Sequence, residues 1–111
     1  MTITPSDNIK KEKDEKISDR LISDVIRNRI KLQNKRFHAN DNISDFINPG
    51  ELEHLQKEVA SRVRELLKSL VIDIENDHNS QDTAERVAKM YLREVFKGRY
   101  LKRPNVTDFP N

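Results

Sequence analysis

Leu52, Leu55, Val59, Val63, Leu66 and Leu70 recur at intervals of three and four residues, the repeat that lines one face of an α-helix and no face of a strand. The run predicts one long amphipathic helix from just after Pro49, a residue suited to a helix start, to about Leu70. Its apolar face needs a cover, and the chain has little to offer: 34% of its 111 residues are hydrophobic and 36% are charged. A thin helical core in at most one domain is the consequence.

Two further segments carry helical spacing. Ile22, Ile26 and Ile30, alongside Ile17, Leu21 and Val25, repeat every four residues. They predict a first helix from Ile17 to about Lys35, with Ser18 or Asp19 available as its cap. Arg36–Pro49 breaks the period with Asn40, Asn42, Asn48 and Pro49. We read it as an ordered connector docked through Phe37, Ile43, Phe46 and Ile47. Val71–Ile74 continues the long helix or leaves it extended, and Glu75–Ser80 is a polar loop. Asp82 with Glu85 three residues on has the form of a capping box, and Thr83 is the competing cap. Ala84, Val87, Ala88, Tyr91 and Val95 then form an apolar stripe, widened by Leu92 and Phe96, with Gly98 placed to end the helix. The expected fold is all-α, with two or three amphipathic helices. It divides into a disordered, charge-balanced tail over 1–16, a helix and connector over 17–49 and a helical region over 50–111, where Arg99–Asn111, with Pro104 and Pro110, is extended.

Several chemistries are excluded by composition. Without cysteine, the 111 residues hold no disulfide, thiolate nucleophile or cysteine-ligated zinc. No apolar run approaches the ~20 residues of a membrane span, and Met1–Lys16 has no secretory h-region. The expected setting is cytoplasmic, with no membrane partner. A net charge of +2 makes no case for a nucleic-acid partner either, but residues 84–103 carry +5, so an anion site belongs there.

Glu51-x-x-His54 has the spacing of a helical metal pair, but a di-metal site needs a second copy. We read it as a solvated helix face. Asp73-x-Glu75-x-Asp77-x-Asn79 begins like a calcium loop, but His78 stands where that loop needs glycine and Ala84 where it needs glutamate. A polar connector bonding to its own backbone is the better reading. His38, His54 and His78 share no ligand spacing, so no metal-binding or catalytic residue is assigned. Arg86, Lys89, Arg93 and Lys97, by contrast, fall along one helical stripe. Such a row either holds a polyphosphate or is an ordinary solvated face.

The segment Thr83-Ala84-Glu85-Arg86-Val87-Ala88-Lys89-Met90-Tyr91-Leu92-Arg93-Glu94-Val95-Phe96-Lys97-Gly98 resembles the Thr-Pro-x-Arg-(Val/Ile)-Ala-(Lys/x)-Met-(Tyr/Trp)…Glu-(Ile/Val/Met)-Phe-x-Gly signature of GTP cyclohydrolase I. Val63–Asn79 and Tyr100–Asn111 are similar to that family as well, so the resemblance covers about half the chain. Ala84 replaces the usual proline. The resemblance implies the N-terminal helical part of an α+β tunnelling-fold enzyme that converts GTP and water to 7,8-dihydroneopterin triphosphate and formate, the first step of tetrahydrofolate and pterin biosynthesis. It implies that Arg86 and Lys89 contact the triphosphate of GTP, and that the partners are further copies in a toroidal homo-oligomer, decameric in the usual case, or the missing catalytic portion. In the family a Cys-x-His-His run and a later His-x-Cys supply the zinc ligands and the proton-transfer histidines; this sequence has neither run. The expectation is therefore a truncated or split enzyme that has no cofactor of its own, releases no formate alone and retains no zinc. The alternative is a non-catalytic helical module that associates with a cyclohydrolase or another partner.

Overall fold

A computed structural model describes residues 21–102, and among them there are helices and no strand. The expected tail over 1–16, the helix start at Ile17 with its Ser18 or Asp19 cap, and the end of the chain from Arg103 lie outside the described residues. The described first helix, α1, spans Ile22–Leu32, and Leu21 before it is extended (φ −66°, ψ 141°). It ends earlier than Lys35, because Asn34 adopts φ 53°. The Asn34 and Lys35 N–H groups donate back to the carbonyls of Lys31 (3.0 Å) and Ile30 (3.1 Å), which closes the helix with the left-handed residue that asparagine tolerates.

The long helix forms as the spacing predicts: α2 spans Glu51–Ser69. Pro49 stands one residue before its cap rather than inside the first turn. Gly50 is the cap and takes φ 84°, a conformation open to a residue without Cβ. At the other end Val71 adopts φ 63°, and Val71 and Ile72 donate to the carbonyls of Lys68 (2.9 Å) and Leu67 (3.1 Å). The αL position of this cap normally takes glycine, and a β-branched residue there is strained. Val71 is also 90% exposed, so its side chain has little packing to lose. Val71→Gly is therefore expected to stabilise the fold by about 1 kcal/mol, read as a raised thermal midpoint; an unchanged or lowered midpoint would contradict the strain.

The core has two parts. Ile26, Ile30, Ile43, Leu55 and Leu92 are buried together, with Phe37, Phe46, Ile47 and Tyr100 packed against them. All four connector anchors therefore dock as expected, and residues on both sides of Pro49 share one core. The second part is a crossing of small side chains, where Ala60 of α2 meets Ala84 and Ala88 at zero exposure, flanked by Val59 and Val63. The distal end of the α2 stripe finds no cover among the described residues: Leu66 and Leu70 remain exposed.

The remaining chain departs from expectation in three places. Part of the polar loop is helical: α3 covers His78–Gln81, capped by Asp77, whose carboxylate accepts from the Asn79 N–H (3.0 Å) and the Ser80 hydroxyl (2.6 Å). Asp82 has helical dihedrals (φ −94°, ψ −7°) and its side chain caps nothing. The Asp82–Glu85 capping box is thus absent, Thr83 donates to the Asn79 carbonyl (3.0 Å) instead of capping, and Glu85 pairs with Arg64 of α2. Finally, α4 (Thr83–Met90) passes into a π-helical segment over Tyr91–Val95, breaks at Phe96, and resumes as a single turn, α5, over Lys97–Tyr100. Gly98 lies inside that turn and does not end a helix, and Arg99 and Tyr100 are helical rather than extended.

Candidate functional site

The cations of the last helical segment stand on a platform held from both ends. At one end the alanine crossing fixes α4 against α2. At the other, Asn42 of the connector donates through Nδ2 to the carbonyls of Gly98 (2.9 Å) and Leu101 (2.8 Å), and the Ile43 N–H donates to the Arg99 carbonyl (2.8 Å). The Arg99 guanidinium in turn donates to the carbonyls of Phe37 (3.1 Å), His38 and Asp41 (3.2 Å). These bonds satisfy backbone acceptors of a loop that has no ladder of its own.

Arg86 and Lys89 are both exposed on α4, away from the buried Ala84 and Ala88, and neither forms an ion pair with a carboxylate among the described residues. Three residues apart on a helix, their Cβ atoms sit about 5–6 Å from each other, so two cations can share one anion. The other half of the expected stripe is not continuous with them. Arg93 lies within the π-helical segment and turns onto α2, donating through Nε to Gln56 Oε1 (3.2 Å) and pairing with Glu53 (3.5 Å). Lys97 follows the break at Phe96 (φ −110°, ψ 26°). A π turn carries one more residue than an α turn, so every position after Met90 is rotated from the face that a straight α-helix would give it. The apolar stripe is divided in the same way: Leu92 is buried at 2%, whereas Tyr91, Val95 and Phe96 are exposed, with the Tyr91 and Phe96 rings stacked at 6.2 Å.

The weaker motifs are occupied by local structure. The Glu51 carboxylate accepts a bidentate bond from Arg29 of α1 (2.8 Å to Oε2) and the N–H of Asn48 (2.8 Å), while His54 is exposed. Asp73 accepts from the side chain of Asn76 (2.9 Å), as Asp77 does from its own cap. These local hydrogen bonds hold both carboxyls below the usual range, led by the Asn76 side chain for Asp73 and the Ser80 hydroxyl for Asp77. Among the described residues no three His, Asp or Glu side chains converge on a point that could hold a metal ion. The contacts that sequence reasoning missed, Arg29 with Glu51 and Arg99 with the connector, join positions 22 and 58 to 62 residues apart. No local pattern signals them.

The connector also contains an acid-sensitive pair. Arg36 donates to both oxygens of Asp41 (2.8 and 2.7 Å), and the His38 N–H adds a third bond (2.8 Å). The Arg36 bonds are the main reason that the Asp41 carboxyl is lowered to about 2. The Glu51 carboxyl is lowered likewise, chiefly by Arg29. A depressed carboxyl contributes stability that is present above its unfolded value, about 3.9 for Asp, and is lost as pH falls through the folded value. Acid unfolding followed by circular dichroism should therefore show stability falling between about pH 4 and pH 2, and Asp41→Asn should make that fall shallower. An identical acid profile for the variant would show that the pair contributes nothing.

No family model, no curated protein and no solved structure matches this chain.

Proposed function

We propose that this chain is the N-terminal helical region of a GTP cyclohydrolase I, in which Arg86 and Lys89 hold the triphosphate of GTP and polypeptide outside these 111 residues supplies the catalytic chemistry. One observation carries the reading. At the two motif positions where the resemblance requires phosphate contacts, the chain presents adjacent exposed cations with no carboxylate partner among the described residues. They stand on a helix anchored by fully buried alanines. Charge-assisted bonds to a polyphosphate are strongest from such positioned, unneutralised donors. The zinc of the family does not fit these residues, because the sequence has no cysteine and no other donors converge among the described residues.

A second reading has its own support. The exposed apolar side chains Met90, Tyr91, Val95 and Phe96 beside the cations fit a non-catalytic helical module that buries this face on a cyclohydrolase or another partner. Mixing the chain with a polypeptide that supplies the Cys-x-His-His portion separates the two. Formate release from GTP that requires both components supports the enzyme reading. Tight association without turnover supports the module.

A further inference from the structure

A cavity of about 140 Å³ lies within the hydrophobic core itself. Its walls come from four elements: Ile26 and Ile30 of α1, Phe37 and Ile43 of the connector, Leu55 of α2 and Tyr100 of α5. Ile26, Ile30, Ile43 and Leu55 are buried side chains of one core cluster, so this is core and not a surface patch. Protein interiors carry few voids larger than a water molecule, and the atoms that line one forgo contacts they would otherwise make. The polar residues on the wall are engaged elsewhere. Ser23 donates from its N–H (2.9 Å) and its hydroxyl to Glu58, Arg27 pairs with Asp24 (2.6 Å), and Arg99 donates to the carbonyls of Phe37, His38 and Asp41. Asp24 and Glu58 keep their charges, but neither lines the cavity. Among the described residues no buried side-chain nitrogen or oxygen lacks a hydrogen-bond partner. Arg27 is exposed, so the cavity reaches the surface beside it, which gives a path of entry.

We infer that this cavity is a binding site for a small, neutral, apolar ring compound of benzene size. Volume sets the size: cavities of about 150 Å³ walled by Leu, Ile and Phe stay dry and take up benzene. The wall chemistry sets the class. A charged or strongly polar group carried into the cavity would be buried among side chains whose own polar atoms are already paired, and it would lose its water without replacement. An apolar ring loses nothing there and restores the missing contacts to the lining. Because the walls come from four elements, a bound ring touches all of them and stabilises the folded chain by mass action. The cavity includes neither Arg86 nor Lys89, so this inference is independent of the cyclohydrolase reading.

The test adds benzene to the full-length chain. The thermal midpoint should rise and saturate, as it does for a ligand that binds only the folded state. The methyl NMR signals of Ile26, Ile30, Ile43 and Leu55 should shift, while those of Leu66 and Leu70, exposed at the far end of α2, stay in place. Benzoate and benzylammonium, rings of the same size that carry a charge, should bind about tenfold or more weakly. Ile43→Phe puts a ring of the protein's own into the void and should abolish the response to benzene, with circular dichroism checking that the variant is folded. Ile43→Val is the milder change: it removes one methyl group from the wall, and should raise the preference for toluene over benzene about fourfold, the value of one buried methyl. Absence of a saturable response to benzene, shifts spread equally over Leu66 and Leu70, or benzoate bound as tightly as benzene would each overturn the proposal. So would an undiminished response in folded Ile43→Phe, or an unchanged preference in Ile43→Val.

Discussion

Ala88→Leu is expected to lower the unfolding free energy by about 1–3 kcal/mol through overpacking. Ala60, Ala84 and Ala88 all have zero exposure where α4 crosses α2, so the two backbones meet with no space for a larger side chain. Leucine and alanine are both good helix formers, which leaves packing as the main term that changes. In a domain of this size the loss corresponds to a thermal midpoint lower by roughly 10 °C. The same side chain placed at an exposed position, as in Met90→Leu, should shift the midpoint little, because Met90 is 39% exposed. If the two variants melted together, the close approach of α2 and α4 would be wrong.

Arg86→Ala should raise the KM for GTP about ten- to a hundredfold in a complete or reconstituted enzyme, because each charge-assisted bond to a phosphate is worth roughly 1.5–3 kcal/mol. Helix content should hold, since alanine is the better helix former and the Arg86 side chain is exposed and engaged by no carboxylate among the described residues. Lys97→Ala is the control. It lies beyond the motif positions, and the π-helical segment and the break at Phe96 separate it from the α4 face. Equal and small effects of the two substitutions would identify Arg86 and Lys89 as ordinary solvated side chains and remove the basis for the triphosphate reading.

Much of this architecture is legible in the order of apolar residues. The stripe from Leu52 to Leu70 foretells α2 to within a residue at either end, and the Ile22, Ile26, Ile30 row of α1 is the one that packs into the core. Phe37, Ile43, Phe46 and Ile47 are too apolar for a free loop, and all four dock. These features follow from local spacing and from the cost of leaving large apolar side chains in water, and they survive whatever the chain's other contacts are.

The candidate site was legible in part. Arg86 and Lys89 lie before the π-helical segment, where α-helical phase still holds, and they are exposed as a straight helix places them. Beyond Met90 that phase fails. Arg93 is drawn to Glu53 and Gln56, 40 and 37 residues away, and the turn around Gly98 is held by Asn42 and Arg99 against the connector. The capping differs for a related reason: α4 begins after Asp82 as the spacing predicts, but of the two aspartates chemically able to cap, only Asp77, with its extended backbone, does so. What the sequence determined by itself is therefore the set of helices and the residues that must be buried, because those depend on periodicity and transfer from water. What the tertiary structure decided is the rotation of the last segment and the pairing of its charges, because these depend on bonds between residues far apart in the chain, for which no local spacing carries a signal.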